Sequence, residues 1–69
     1  MAISARSQLK GKITEVVLGD VMAHIAIRVG QNVIESVITR KSAEELKLKK
    51  GDSVIAVVKA TEVMVSNPD

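Results

Sequence analysis

Three strand-like runs, one short helical run and a return to strand predict an all-β domain with one short helix. The architecture that suits this order is a five-stranded, partly open Greek-key barrel. Two further observations support it. Apolar residues make up 46% of the 69-residue chain, and all of them are aliphatic because Phe, Trp and Tyr are absent. A core of Val, Ile, Leu, Met and Ala in which β-branched side chains are prominent favours strands. Gly-Asp and Gly-Gln-Asn clusters then punctuate the runs at hairpin spacing.

The first run, Ile3 to Leu18, reads as one strand or as two interrupted at Gly11, where a missing side chain permits a bend or bulge. Gly19-Asp20 is a turn. Val21 to Val29 then alternates, with Ala23, Ile25, Ile27 and Val29 on one face and Met22, His24, Ala26 and Arg28 on the other. Gly30-Gln31-Asn32 turns the chain into Val33 to Thr39, where Ile34, Ser36 and Ile38 oppose Val33, Glu35, Val37 and Thr39. From Thr39 to Leu48 the residues are good helix formers. Ser42 followed by Glu45 has the spacing of a capping box, and Lys47, Lys49 and Lys50 fall toward the end where the helix dipole favours cations. A helix of about two turns is expected. After Gly51-Asp52, Ser53 to Val65 returns to strand, with Val54 to Val58 apolar on both faces. Either this strand is central and packed on both sides, or its second face meets another subunit. The complete order matches a barrel of the oligonucleotide/oligosaccharide-binding (OB) type. Residues 1–66 are expected to form a single domain and 67–69 a frayed tail.

A core this small needs support, since below about 70–80 residues it rarely contributes more than a few kcal/mol net. The chain has no cysteine and one histidine, so neither a disulfide framework nor a zinc cluster can supply it. Oligomerisation remains. The net charge is +2, which is weakly anion-attracting and lacks the concentrated basic stripe of a nucleic-acid binder. The missing aromatics also leave nothing on which bases could stack. No run reaches the roughly 18 apolar residues of a membrane span, and the start lacks a charged-then-apolar leader pattern, so a cytoplasmic location is expected.

Catalysis has little to stand on. There is no Gly-rich phosphate loop and no pairing of nucleophile with base, so an enzyme is not expected. Glu44 and Glu45 read as a solvated helix face. His24 reads as a packed or surface strand residue, because its strand offers no second ligand.

The polar residues that stand out suit a small oxyanion. In Ile3-Ser4-Ala5-Arg6-Ser7-Gln8-Leu9, alternation puts Ser4, Arg6 and Gln8 on one face, offering a hydroxyl beside a guanidinium. Such donors suit anion oxygens, which accept charge-assisted and hydroxyl hydrogen bonds. Thr39 and Ser42, three apart at the start of the helical run, either cap the helix or share in an anion site. Lys59 interrupts an apolar run, and it either snorkels at a strand end or enters a polar pocket.

The segments Ile3-Ser4-Ala5-Arg6-Ser7-Gln8-Leu9-Lys10-Gly11, Ile38-Thr39-Arg40-Lys41-Ser42-Ala43-Glu44-Glu45-Leu46 and Val58-Lys59-Ala60-Thr61-Glu62-Val63-Met64-Val65 closely resemble the molbindins. These are small molybdate-binding proteins made of a single Mop domain. Related domains occur in molybdate-dependent transcriptional regulators and in the ATPase subunit of molybdate importers. The resemblance implies an OB-like barrel that exchanges its N-terminal strand within a dimer, with three dimers forming a homohexamer. It further implies molybdate or tungstate in pockets between subunits. Carried onto this chain, Ser4, Arg6 and Lys59, with backbone N–H groups around Ala5 and Ala60, come from one subunit, and Thr39 and Ser42 come from a neighbour. A second class of site near the threefold axis is implied without assigned residues. The family usually has Asn where this chain has Ser7. Alternation puts Ser7 on the face opposite Arg6, so this departure should affect assembly before ligand contact.

One mechanism serves both lines. Molybdate is a tetrahedral dianion, so Arg6 and Lys59 balance its charge while hydroxyls and backbone N–H groups bind its oxygens, with no direct metal ligation. Rejection of the smaller sulfate then rests on pocket size. The expected function is intracellular binding, storage and homeostasis of molybdate by a homo-oligomer, away from membranes and nucleic acid. Two other readings stay open: a nucleic-acid-binding OB-type module, favoured by the barrel and a pI near 9.2, and a molybdate-sensing or delivery module docked on another protein.

Overall fold

The computed structural model describes residues 6–68. Its elements are β1 (Arg6–Leu18), β2 (Met22–Val29), β3 (Asn32–Thr39), α1 (Arg40–Glu45) and β4 (Ser53–Lys59), followed by a single 3₁₀ turn over Ala60–Glu62. The four strands form one antiparallel sheet in the order β3-β2-β1-β4. Strand β1 holds the sheet together by changing partner along its length. Arg6 to Lys12 pair with β4, and Lys12 to Leu18 pair with β2. This stagger is the shear that curls a sheet toward a barrel. The result is a curled half-barrel of OB-like type with one short helix.

A fifth strand is not formed among the described residues. The run expected as strand from Ser53 to Val65 stops at Lys59, turns through Ala60–Glu62 and continues without regular structure. Arg6, the first described residue of β1, lies opposite Lys59. Beyond that pair no described strand is available to receive the ladder bonds that a continuation needs.

Strand β1 is unbroken at Gly11, and the irregularity falls instead between Ile13 and Glu15. There Thr14 is the extra residue of a bulge, and its hydroxyl donates to the Ala26 carbonyl at 3.4 Å. Gly11 is required for a different reason. A Cβ at this position would lie 2.5 Å from the Arg28 carbonyl oxygen and 2.8 Å from Cγ2 of Ile27. The absent side chain lets β2 approach where β1 passes between its two partners. At the β2–β3 hairpin, Val29 pairs with Asn32 and the two-residue loop opens with Gly30 at φ 61°. This is the glycine position of a type II′ turn.

The concave face carries the core: Ile13, Ala23, Ile25, Ile27, Ala43 and Ala56, with Leu9, Val16, Ile38, Leu48 and Val54 packed against it. The alternation expected for β2 is observed, and Ala26 is also covered where the β1 bulge passes over it. Strand β4 lies at an edge of the sheet rather than at its centre. Its Ala56 is buried, while Ile55 and Val57 on the other face are exposed. Among the described residues, more large apolar side chains are exposed than buried, which is the pattern of a surface that meets another chain.

Helix α1 closes one end of the half-barrel through Ala43. Its N-cap is Thr39 rather than Ser42, because Thr39 holds the extended backbone a cap requires and Oγ1 accepts from the Ser42 N–H at 3.1 Å. Its C-terminus is a Schellman motif: Lys47 N–H donates to the Glu44 carbonyl and Leu48 N–H to that of Ala43. Lys47 occupies the left-handed position at φ 54°. Lys47, Lys49 and Lys50 therefore follow the helix and do not line its last turn. No helix among the described residues is long and apolar enough to cross a membrane.

Candidate functional site

The residues singled out for oxyanion chemistry fall into two groups in the fold. The first is built on the β1–β4 ladder. Arg6 and Lys59, separated by most of the chain, occupy directly opposed register positions. Opposed residues in an antiparallel pair have Cα atoms about 4.5–5.5 Å apart. Two cationic residue types at such a pair are destabilising unless an anion joins them. Lys59 is exposed and is also the N-cap residue of the 3₁₀ turn, which Ala60 begins. Ser4 and Ala5 lie outside the described residues. Ser7, opposite Val58, is exposed at the rim of the concave side.

The second group is built where β3 runs into α1. Thr39 Oγ1 accepts from the Ser42 backbone N–H, and its own hydroxyl donates to Ser42 Oγ at 2.8 Å. The Thr39 proton is thereby used. The Ser42 hydroxyl keeps a proton that it can donate outward. Arg40, which the sequence reading did not single out, fixes this corner. Its Nε donates to Glu44 at 3.1 Å, its Nη1 donates to the Gly19 carbonyl at 3.2 Å, and its backbone N–H donates to the Val21 carbonyl. The four-residue spacing of Arg40 and Glu44 is the signal that could have revealed it.

The two groups stand at opposite ends of the half-barrel. Thr39 pairs with Met22, next to the Ala23 that faces Leu18 at the end of β1, whereas Lys59 faces Arg6 at its start. The thirteen residues of β1 lie between them in register.

Among the described residues, the other polar side chains do not form a competing centre. His24 lies half-buried on the convex face and is paired with Glu35 of β3. Among the described residues, no three His, Cys, Asp or Glu side chains converge as a metal site. A cavity of about 780 Å3 opens on the concave side near the start of β4, and neither group lines it.

A curled antiparallel half-barrel with one helix after its third strand defines a small OB-like domain. The TOBE domain family matches residues 3–65, and the chain belongs to this family, alongside its single-domain, molbindin-like members. It is 47% identical over 66 residues to molybdenum-pterin-binding protein 2 of Clostridium pasteurianum, covering 94% of this chain and 97% of that protein. In three dimensions it matches a molybdate binding protein from Sporomusa ovata with a TM-score of 0.89 at 40% identity, covering 97% of this chain and all of the other. It matches MopII from Clostridium pasteurianum with a TM-score of 0.87 at 45% identity, covering 96% and 100%. The first two of these are binding proteins by name.

Proposed function

We infer that this protein binds molybdate, or tungstate, in pockets shared between copies of itself, and that it serves intracellular storage and homeostasis of the anion. The observation that carries the reading is the opposed register of Arg6 and Lys59. Two positive charges at one ladder position match a dianion, which relieves their repulsion and accepts a charge-assisted hydrogen bond from each. Ser4 and the backbone around Ala5 and Ala60 add donors on the same subunit. Ser42, oriented by Thr39, supplies the opposite side from a neighbour. The separation of the two groups along β1 supports a pocket between chains.

Residues 1–66 form the binding domain and 67–69 its tail. The barrel is completed by exchange of the N-terminal strand within a dimer, and three dimers build a hexamer. The chain performs no catalysis and uses neither membrane nor nucleic acid. Discrimination from sulfate comes from the size of a pocket held by rigid sheets.

Titration calorimetry with molybdate, tungstate and sulfate tests this directly. Heat of binding is expected for the first two and little for sulfate at equal concentration. Absence of uptake of both molybdate and tungstate would overturn the function.

A further inference from the structure

We propose that Lys12, Arg28, Lys10 and Ser53 form a second oxyanion site, complete within one chain, for a free tetrahedral dianion such as sulfate or phosphate. Lys12 stands at the centre of a row that crosses three strands, with Arg28 of β2 opposite on one side and Ser53 of β4 opposite on the other. Residues opposed in a ladder share a face, so a hydroxyl, an ammonium and a guanidinium lie side by side. Lys10, two residues back along β1, adds a second ammonium to that face. All four residues are exposed. Their face is the one opposite to Gly11 and Ile13, which lie against the core.

No carboxylate among the described residues neutralises this cluster. The ion pairs there are His24–Glu35 and Arg40–Glu44, and neither includes Lys10, Lys12 or Arg28. The carboxylates nearest in register are placed elsewhere: Glu15 lies beyond the bulge, opposite Ala26, and Asp52 accepts from the Lys49 N–H at 3.1 Å. Like charges opposed across a ladder are destabilising, and an anion between them reverses the sign. Arg28 is also held in place. Its Nε donates to the Gly30 carbonyl at 3.0 Å in the β2–β3 turn, which orients the guanidinium and leaves both Nη groups to donate. The cluster repeats the opposed-cation arrangement of Arg6 and Lys59 on the same face of β1, with every donor drawn from one chain. It therefore does not rest on the pocket proposed between copies. Because its residues are exposed, no enclosing wall selects the anion by size, and sulfate is accepted as readily as molybdate.

Sulfate is the probe, because the pocket between copies is expected to reject it. Backbone amide shifts of the isotope-labelled full chain are followed by NMR as sodium sulfate replaces sodium chloride at constant ionic strength. Wild type is compared with Arg28→Leu, Lys12→Met and, as a control on α1, Lys41→Met; all three positions are exposed, and the amide spectrum of each variant reports its fold. Saturable shifts centred on Lys12, Arg28 and Ser53 are expected. Arg28→Leu and Lys12→Met should each weaken the apparent affinity about ten-fold or more, the usual effect of losing a charge-assisted hydrogen bond, and Lys41→Met should leave it unchanged. Shifts that grow without saturating, that are as large at Lys47, Lys49 and Lys50, or that persist unchanged in both Arg28→Leu and Lys12→Met show screening of surface charge only and overturn the proposal. The two claims fail separately. A chain that binds sulfate here and takes up no molybdate between copies keeps this site and loses the function proposed above, whereas molybdate uptake without saturable sulfate shifts defeats this site alone.

Discussion

Replacing Gly11 with alanine is expected to damage the fold although it adds only one methyl group. The new Cβ would sit 2.5 Å from the Arg28 carbonyl oxygen, 2.8 Å from Ile27 Cγ2 and 3.0 Å from Val29 Cγ2. The nearest of these is backbone in the centre of the sheet and cannot rotate away. Strand β1 must therefore retreat from β2 beside the Lys12–Arg28 and Ile13–Ile27 pairs, which stretches the ladder at the point where β1 passes from one partner to the other. Overpacking of this kind costs about 1–3 kcal/mol, offset by about 0.4–1 kcal/mol from the stiffer unfolded chain. The net loss is about 1–2 kcal/mol, or a fall in Tm of roughly 5–15 °C for a domain of this size. With no Trp or Tyr for fluorescence, the assay is thermal unfolding by far-ultraviolet circular dichroism. Protein concentration must be matched, because assembly makes Tm concentration-dependent. An unchanged or raised Tm would refute the reasoning.

Lys59→Met, which keeps the aliphatic stem and removes the charge, should weaken molybdate binding about ten- to a hundred-fold; calorimetry checks this, and unchanged affinity moves the site elsewhere. Thr39→Val and Ser42→Ala should separate two roles. Both weaken binding, but only Thr39→Val removes the helix cap and costs about 1 kcal/mol of stability, as denaturant titration would show, with assembly retained in sedimentation. Lys47→Gly should stabilise the protein by about 0.5–1 kcal/mol, because φ 54° is strained for lysine and open to glycine; a lowered unfolding midpoint would contradict this.

Much of the architecture was legible because hydrophobic alternation and turn residues are local signals. Ala23, Ile25, Ile27 and Val29 mark the inward face of β2, and Gly30-Gln31 marks its hairpin. Where two local signals compete, sequence alone does not choose. Gly11 could bend the strand or admit a close neighbour, and the position of Arg28 behind it decides for the latter. Thr39 and Ser42 could each cap the helix, and the extended backbone of Thr39 decides that. Strand propensity continues through Val63 to Val65, but a strand also needs a partner, and no described strand lies beyond Arg6. The residue types of the candidate site were readable for the same reason as the helix: they are unusual polar groups at strand and helix ends. Their spatial relation was not. That Arg6 faces Lys59, and that Thr39 and Ser42 lie at the far end of β1, follows from register and curl, which no local pattern encodes.

The central claim is that one oxyanion pocket needs more than one chain, and native mass spectrometry with and without molybdate across a dilution series tests it most directly. Bound anion is predicted only on oligomers, with molybdate shifting the population toward the hexamer. Molybdate carried by monomers at the same occupancy as by oligomers would contradict it.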